Sequence, residues 1–207
     1  MSSSFESRRL TSFSQVKDLY RKRLKQDFAR DERKPLSAMR RLWKDDAYDC
    51  YGLFDGDEIL GYAFFVHLGK NYMVDYLAIS EDRRGQGLGS IFLRQLGPCL
   101  ADADCILCEI EDPDKAPDEA TRLLRERRLQ FYQRNGYRKT GLTSLLFGVD
   151  YRILEFTAAG SHTAAELRAI YTEFYRYSLS DRYMRTQFKL FEESESQAGD
   201  SSSFLRD

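Results

Sequence analysis

The sequence has no long hydrophobic run and very little histidine. No stretch of its 207 residues approaches the roughly 18 consecutive apolar residues that a membrane-spanning helix needs. Residues 1–6 also lack the apolar segment of a secretion signal. We therefore expect a cytoplasmic protein that binds no membrane and keeps its four cysteines as free thiols.

The sequence also lacks an excess of charge of either sign. Its 32 lysine and arginine residues are balanced by 33 aspartate and glutamate residues, which leaves a formal net charge of −1. Proteins that bind nucleic acid usually carry a basic excess, so we expect no nucleic acid partner. The length suits one compact domain, and the 42% of hydrophobic residues are enough to fill its core.

The scarcity of histidine argues against a metal site. Cys105 and Cys108 form a Cys-x-x-Cys motif, but a zinc site needs a second pair of ligands. The two histidines, His67 and His162, are not suitably spaced to supply that pair. The motif lies in an apolar, strand-like run, whereas a redox Cys-x-x-Cys usually opens a helix. We predict buried thiols and no bound metal.

The order of periodic segments predicts an α/β protein. Apolar residues recur at helical spacing near the start, the middle and the end of the chain, with strand-like runs between them. This order favours a mixed sheet with helices on both faces. The expected segments are a flexible N-terminus over 1–13, the main domain over 14–156, a helical extension over 157–191 and a disordered tail over 192–207.

The strongest motif is a glycine-rich turn, Arg84 to Gly89, between a predicted strand and a predicted helix. The first amides of a helix lack intrahelical partners and lie at the positive end of the helix dipole, so they bind anions. Glycine lets the backbone approach a diphosphate without interference from a Cβ atom. The turn therefore predicts a site for a phosphate-bearing ligand.

Three kinds of phosphate-binding loop have a similar composition. A P-loop would need a lysine directly before Ser90, where Gly89 stands. A dinucleotide-binding fingerprint would need glycine or alanine in place of Ser90, and a strand early in the chain. The third pattern, Arg/Gln-x-x-Gly-x-Gly, is met in full by Arg84, Gly87 and Gly89.

The third pattern resembles the pyrophosphate loop of bacterial enzymes of the GNAT superfamily of N-acetyltransferases. A second motif, Phe131-Tyr132 followed by Gly136-Tyr137, is similar to the Phe-Tyr-x-x-x-Gly-Phe segment of that family. The resemblance covers about residues 14–150. It implies the GNAT fold, in which a mostly antiparallel mixed sheet has two central parallel strands that splay apart in a V.

The resemblance also implies acetyl-CoA as a co-substrate, with no metal ion. In the family, one strand pairs through its backbone with the pantetheine arm, and the glycine turn holds the pyrophosphate. The residues expected to bind CoA are Leu77, Ala78, Ile79, Arg84, Gly85, Gln86, Gly87, Leu88, Gly89, Ser90 and Tyr132.

Acetyl transfer to an amine needs a base for the ammonium group and an acid for the leaving thiolate. Tyr132 is the predicted acid, because members of the family place a tyrosine near the sulfur. Glu109 is the preferred base, and Glu111 shares its face of the predicted strand. Asp75, in phase with Leu77, is a third option, and a water chain to bulk solvent is a fourth.

These features together predict an N-acetyltransferase that passes acetyl to a primary amine by direct attack. The acceptor is either a small molecule or an amine of a peptide or protein, and the protein acts as a monomer or homodimer. Two alternatives stay open: a regulatory module that binds acetyl-CoA without turnover, and a nucleotide-binding module that uses the same turn.

Overall fold

The computed structural model describes residues 5–30, 32–158 and 160–193. It contains a sheet of eight strands in the order β1-β2-β3-β4-β5-β7-β6-β8. Within these residues, every neighbouring pair is antiparallel except β4 and β5, as the sequence analysis expects. The strands are β1 (Phe5–Arg9), β2 (Tyr48–Asp55), β3 (Glu58–Leu68), β4 (Asn71–Ile79), β5 (Cys105–Glu111), β6 (Arg138–Leu146), β7 (Val149–Phe156) and β8 (Phe188–Glu192).

Helices cover both faces of this sheet. The first of them continues through a π-helical turn, Tyr20–Leu24, into a short second helix. None of the helices in the described ranges is long and apolar enough to cross a membrane. The α-helices are α1 (Phe13–Leu19), α2 (Lys25–Asp27), α3 (Leu36–Lys44), α4 (Leu88–Leu96), α5 (Glu119–Arg134), α6 (Ala164–Ser178) and α7 (Asp181–Gln187).

Two hydrophobic cores lie on opposite faces of the sheet, because successive strand residues point to opposite sides. The first core packs α1, α3 and α6 against the sheet, and Val16, Leu42 and Leu167 are among its buried residues. The second core packs α4 and α5, and it includes Phe92 and Leu129. We call these the first core and the second core below.

The parallel strands β4 and β5 stay together only at their starts. Asn71, Tyr72 and Met73 pair with Cys105, Ile106 and Leu107, and no pairing between the two strands is recorded beyond them. After this point β4 remains bonded to β3, and β5 to β7. The sheet therefore opens in a V between the carboxyl ends of the two strands, which confirms the predicted splay.

A β-bulge interrupts β4 next to this opening. Phe64 on β3 faces Tyr76, but the next residue along, Phe65, faces Val74, so Asp75 is an extra residue. The Asp75 carboxylate accepts a hydrogen bond of 2.6 Å from the Tyr48 hydroxyl in the first core. The prediction that Asp75 is in phase with Leu77 and Ile79 is therefore wrong, because both of these pack against the second core.

The N-terminal segment 1–13, predicted to be flexible, contains a strand over residues 5–9. β1 is polar because it lies at the edge of the sheet, where backbone hydrogen bonds to β2 hold it without a hydrophobic pattern. The Arg8 guanidinium also lies over the Phe54 ring, 4.2 Å from its centroid. This ordering extends the sheet by one strand.

The C-terminal extension 157–191 contains α6, as predicted, but it is not wholly helical. After α7 the chain forms β8, which pairs with β6 at the opposite edge of the sheet and runs as far as Glu192. The pairing of β8 depends on contacts with a distant strand, so local periodicity could not indicate it. The predicted disordered tail lies outside the described residues from residue 194 onward.

We predict that Phe64→Ala lowers the free energy of unfolding by about 3–5 kcal/mol, the cost of removing a buried phenylalanine ring. Phe64 has no exposed surface and contacts the rings of Tyr48, Tyr62 and Tyr76. The matched change is Phe191→Ala, at a ring that is 47% exposed, which should cost less than about 1 kcal/mol. Urea unfolding followed by fluorescence measures both, and equal losses would contradict the core assignment.

Candidate active site

The glycine turn connects β4 to α4 at the mouth of the V. Gly85 and Gly87 have φ angles of 80° and 77°, in the left-handed region that glycine tolerates best. Gly87 is also the N-cap of α4, and no side chain caps the first turn of this helix. The first amides of α4 are therefore left to water or to an anionic ligand.

A groove of about 680 Å³ runs along this turn. Ten of the eleven residues predicted to bind CoA line it, and the exception is Gln86. The Gln86 side chain instead donates a 3.4 Å hydrogen bond to the Asp82 carbonyl. The predicted residues that line the groove are Leu77, Ala78, Ile79, Arg84, Gly85, Gly87, Leu88, Gly89, Ser90 and Tyr132.

Arginines give the groove an excess of positive charge over its carboxylate, Asp27. Arg84 comes from the glycine turn and Arg83 from the residue before it, and α5 adds Arg127, Arg128 and Arg134 across from them. The three residues of α5 were not predicted, although helical spacing could have indicated that Arg127 and Arg134 share a face. Five guanidinium groups in one groove suit a ligand that carries several phosphate charges.

The C-terminal end of α5 packs closely on α4. A Cβ atom placed on Gly89 would lie only 2.9 Å from Cε2 of Phe131, so only glycine fits without displacing the ring. The Asn135 side chain joins the two helices, donating to the Ser90 hydroxyl at 3.0 Å and to the Phe131 carbonyl at 2.7 Å. The two motifs found in the sequence are therefore in direct contact.

Tyr132 lies at the floor of the groove, next to β5. Its side chain is buried in the second core, where the Cys108 side chain also lies. Burial raises the pKa of Tyr132 well above the ordinary value, so the phenol remains a neutral hydrogen-bond donor. Cys108, predicted only as a buried thiol, thus shares the second core with the predicted acid.

Glu109 faces the first core, on the other side of the sheet from the groove arginines. Tyr175 of α6 donates to its two carboxylate oxygens at 2.6 and 2.7 Å, and Tyr171 donates to the first of them. Burial is the largest influence and raises the pKa of Glu109, while both tyrosines oppose it. A carboxylate with a raised pKa is a better proton acceptor than an ordinary glutamate.

The other two predicted bases are engaged in ion pairs. Glu111 lies 2.9 Å from Arg125 and 3.5 Å from Arg128. Asp75 is paired with Lys34 and with the Tyr48 hydroxyl. Both of these carboxylates already hold a cationic side chain that an acceptor ammonium would have to displace, so the surroundings favour Glu109.

No sequence pattern indicated the two tyrosines on Glu109. Helix α6 buries Leu167, Tyr171 and Phe174 against the first core. Tyr171 also shares a 2.7 Å hydrogen bond with the Ser144 hydroxyl of β6. The helix therefore holds phenols against a strand residue that is more than 60 positions earlier in the chain.

We predict that Tyr175→Phe raises the pKa of Glu109 further, because the phenol stabilises the charged carboxylate. Carbon-13 NMR of labelled glutamate side chains against pH measures this, with the Glu109 signal assigned through Glu109→Gln. The matched control is Tyr177→Phe on the same helix, whose hydroxyl donates instead to Asp45 at 2.9 Å. An unchanged Glu109 titration in Tyr175→Phe would contradict the contact.

Comparison with known proteins fits this geometry. The family model described as acetyltransferase (GNAT) domain matches residues 46–139. The curated relative YjbC of Bacillus subtilis (strain 168), provisionally named an acetyltransferase, is 31% identical over 130 residues, which are 59% of this chain. The matched region spans 62% of the length of that relative.

Solved structures of the same family share the fold. A GNAT-family protein of Bacteroides thetaiotaomicron, also provisionally named an acetyltransferase, has a TM-score of 0.63 and 19% identity, covering 84% of this chain and 98% of its own. A Bacillus subtilis acetyltransferase in complex with CoA has a TM-score of 0.51 and 18% identity, covering 74% and 97%. Residues 46–139 therefore match a GNAT acetyltransferase domain, and the splayed sheet and the glycine turn give the chain the fold of these structures.

Proposed function

We propose that this protein transfers an acetyl group from acetyl-CoA to a primary amine. The observation that carries the proposal is the convergence of the glycine turn, five arginines and Tyr132 on one groove at the open end of β4. The acceptor is a small amine or an amine of a peptide or protein, which remains a prediction from the family resemblance.

The groove has the chemistry that CoA requires. The uncapped first turn of α4 and the surrounding guanidinium groups would hold the phosphates. Beyond Met73, β4 has no recorded partner on the β5 side, so its backbone amides and carbonyls there can bond to an extended ligand. Leu77, Ala78 and Ile79 would pair with the amide groups of the pantetheine arm in this way.

Acetyl-CoA, when bound, supplies an activated thioester whose carbonyl carbon accepts the amine. In the proposed reaction the chain's own groups move the protons. Glu109 takes a proton from the acceptor ammonium, directly or through water, before the nitrogen attacks. Tyr132, the proposed acid, stabilises the leaving thiolate by donating a hydrogen bond from its neutral phenol.

The position of the V supports this division of roles. Cys108 and Glu109 are neighbours on β5 with side chains on opposite faces, and Cys108 shares the second core with Tyr132. The proposed acid and base therefore lie on opposite faces of β5 at the same level along this strand. A reaction between a thioester on one side and an amine on the other needs this kind of arrangement.

The proposed function is tested by acetyl-CoA-dependent acetylation of an amine panel, with thiol release and product mass as readouts. The panel should contain polyamines, amino acids, aminoglycosides and peptides with free N-termini. An acetylated product that forms only with active protein supports the proposal. If CoA binds and no amine in any class is acetylated, the regulatory module is the better description.

We predict that Glu109→Gln lowers kcat by about 10²–10⁴-fold, the usual contribution of a general base. Activity of the unchanged protein should rise with pH through the raised pKa of Glu109, because only the carboxylate accepts a proton. This rise should be absent in Glu109→Gln. The matched change is Glu111→Gln, two residues along the same strand, which should keep the rise; loss of it in Glu111→Gln alone would assign the base to Glu111.

We predict that Gly89→Ala weakens CoA binding by at least about tenfold, because the new methyl group displaces Phe131 from the groove wall. Isothermal titration with CoA measures the affinity. The control is Gly97→Ala, at a glycine with a right-handed helical backbone and open space around its Cβ position. The contact would be unimportant if both variants bound CoA as the unchanged protein does.

A further inference from the structure

A second cluster of reactive side chains lies away from the groove, at the far end of β5. Cys105 begins β5, Glu155 lies near the end of β7, and His162 directly precedes the N-cap of α6. One potential ligand atom from each lies within 4.8 Å of the others. Residue spacing alone predicts no metal site, but the fold brings together three residues that are distant in sequence.

The cluster is organised around one oxygen of Glu155, a side chain with no exposed surface. Its Oε1 atom accepts from the Cys105 thiol at 3.8 Å and contacts Nδ1 of His162. The other oxygen, Oε2, is paired with Arg138, which also donates to the His162 backbone carbonyl at 3.0 Å. Arg138 therefore fixes the carboxylate from behind and leaves Oε1 facing the sulfur and the imidazole.

Two other chemical interpretations do not fit this arrangement. A cysteine nucleophile needs a histidine as its neighbouring base, whereas here the carboxylate stands between the two. Burial also raises the pKa of Cys105 to about 12, so the thiol is not poised for attack. A disulfide with Cys108 is excluded because the two side chains belong to opposite cores.

We propose that Cys105, Glu155 and His162 bind a single divalent transition-metal ion, with zinc as the best fit. Thiolate, imidazole and carboxylate are the three ligand types that zinc takes in proteins, and tetrahedral zinc places them on the order of 3–4 Å apart. The 3.8 Å between the Cys105 sulfur and Glu155 Oε1 matches that spacing, and the three ligand atoms lie within 4.8 Å of one another, so a metal ion would separate the His162–Glu155 contact. Arg138 then acts in the outer shell, orienting a ligand carboxylate.

Binding of a metal ion also changes the protonation of its ligands. Zinc takes cysteine as a thiolate, so binding one Zn²⁺ would release the proton of the Cys105 thiol, and the ring nitrogen of His162 that binds the ion must carry no proton. The His162 side chain is 18% exposed, so an ion can enter at its edge and a water molecule can complete the coordination. The fully buried Glu155 carboxylate gains a strong partner without any new unpaired charge.

A metal at this position would join three parts of the fold. It would connect the starts of β5 and α6 with the end of β7, and α6 carries the tyrosines that contact Glu109. We therefore expect zinc to raise the melting temperature, because an ion that binds only the folded state stabilises it by mass action.

The test uses the full chain after treatment with a chelator. Zinc is titrated in competition with a chromophoric chelator, and Co²⁺ is added separately to detect thiolate-to-cobalt charge-transfer absorption. The matched pair is His162→Ala against His67→Ala, since these histidines are similarly exposed, at 18% and 20%. A second pair is Cys105→Ser against Cys50→Ser, both at buried cysteines.

The expected result is one zinc per chain, a cobalt–thiolate band, and at least about tenfold weaker zinc binding in His162→Ala and Cys105→Ser only. Binding that is equal in His162→Ala and His67→Ala would overturn the proposal, as would a cobalt spectrum without the thiolate band. If Cys105→Ser does not fold, the cobalt spectrum of the unchanged protein still shows whether a thiolate binds the metal. No readout depends on acetyl transfer, so this test and that of the proposed function can fail separately.

Discussion

The early separation of β4 from β5 is the constraint on which the active site depends. Two parallel strands that remained paired would use each other's amides and carbonyls, and no backbone in the sheet interior would be free for a ligand. Because pairing is recorded only as far as Met73 and Leu107, the rest of β4 presents such groups to the groove. The bulge at Asp75 adds a further local twist at this opening.

Each of the two cores contributes different side chains to the proposed reaction, from opposite faces of the sheet. Helices α4 and α5 of the second core supply the uncapped amides, the guanidinium groups and Tyr132. Helix α6 of the first core supplies the phenols that surround Glu109. Strand β5 belongs to both sides, since its residues alternate between the cores, and it is therefore the element through which the proposed acid and base are held in register.

Local sequence patterns predicted the features that depend on local physics. The glycine turn follows from backbone freedom and helix termini, and α5 follows from its periodicity and from the stop at Asn135-Gly136, and ten of the eleven residues predicted to bind CoA line one groove. The remaining features depend on pairing between distant segments. The bulge at Asp75 can be recognised only from the pairing of β4 with β3. The two tyrosines that contact Glu109 lie 62 and 66 residues after it in the sequence.

Helix α6 lies outside the region that matches the family model, which ends at residue 139. The groove proposed to bind the donor and the helix that surrounds the proposed base are therefore encoded in separate stretches of the chain. Substitutions in the later stretch would change the surroundings of Glu109 without altering the groove. Such an arrangement would allow the acceptor side to change while the proposed donor site is kept.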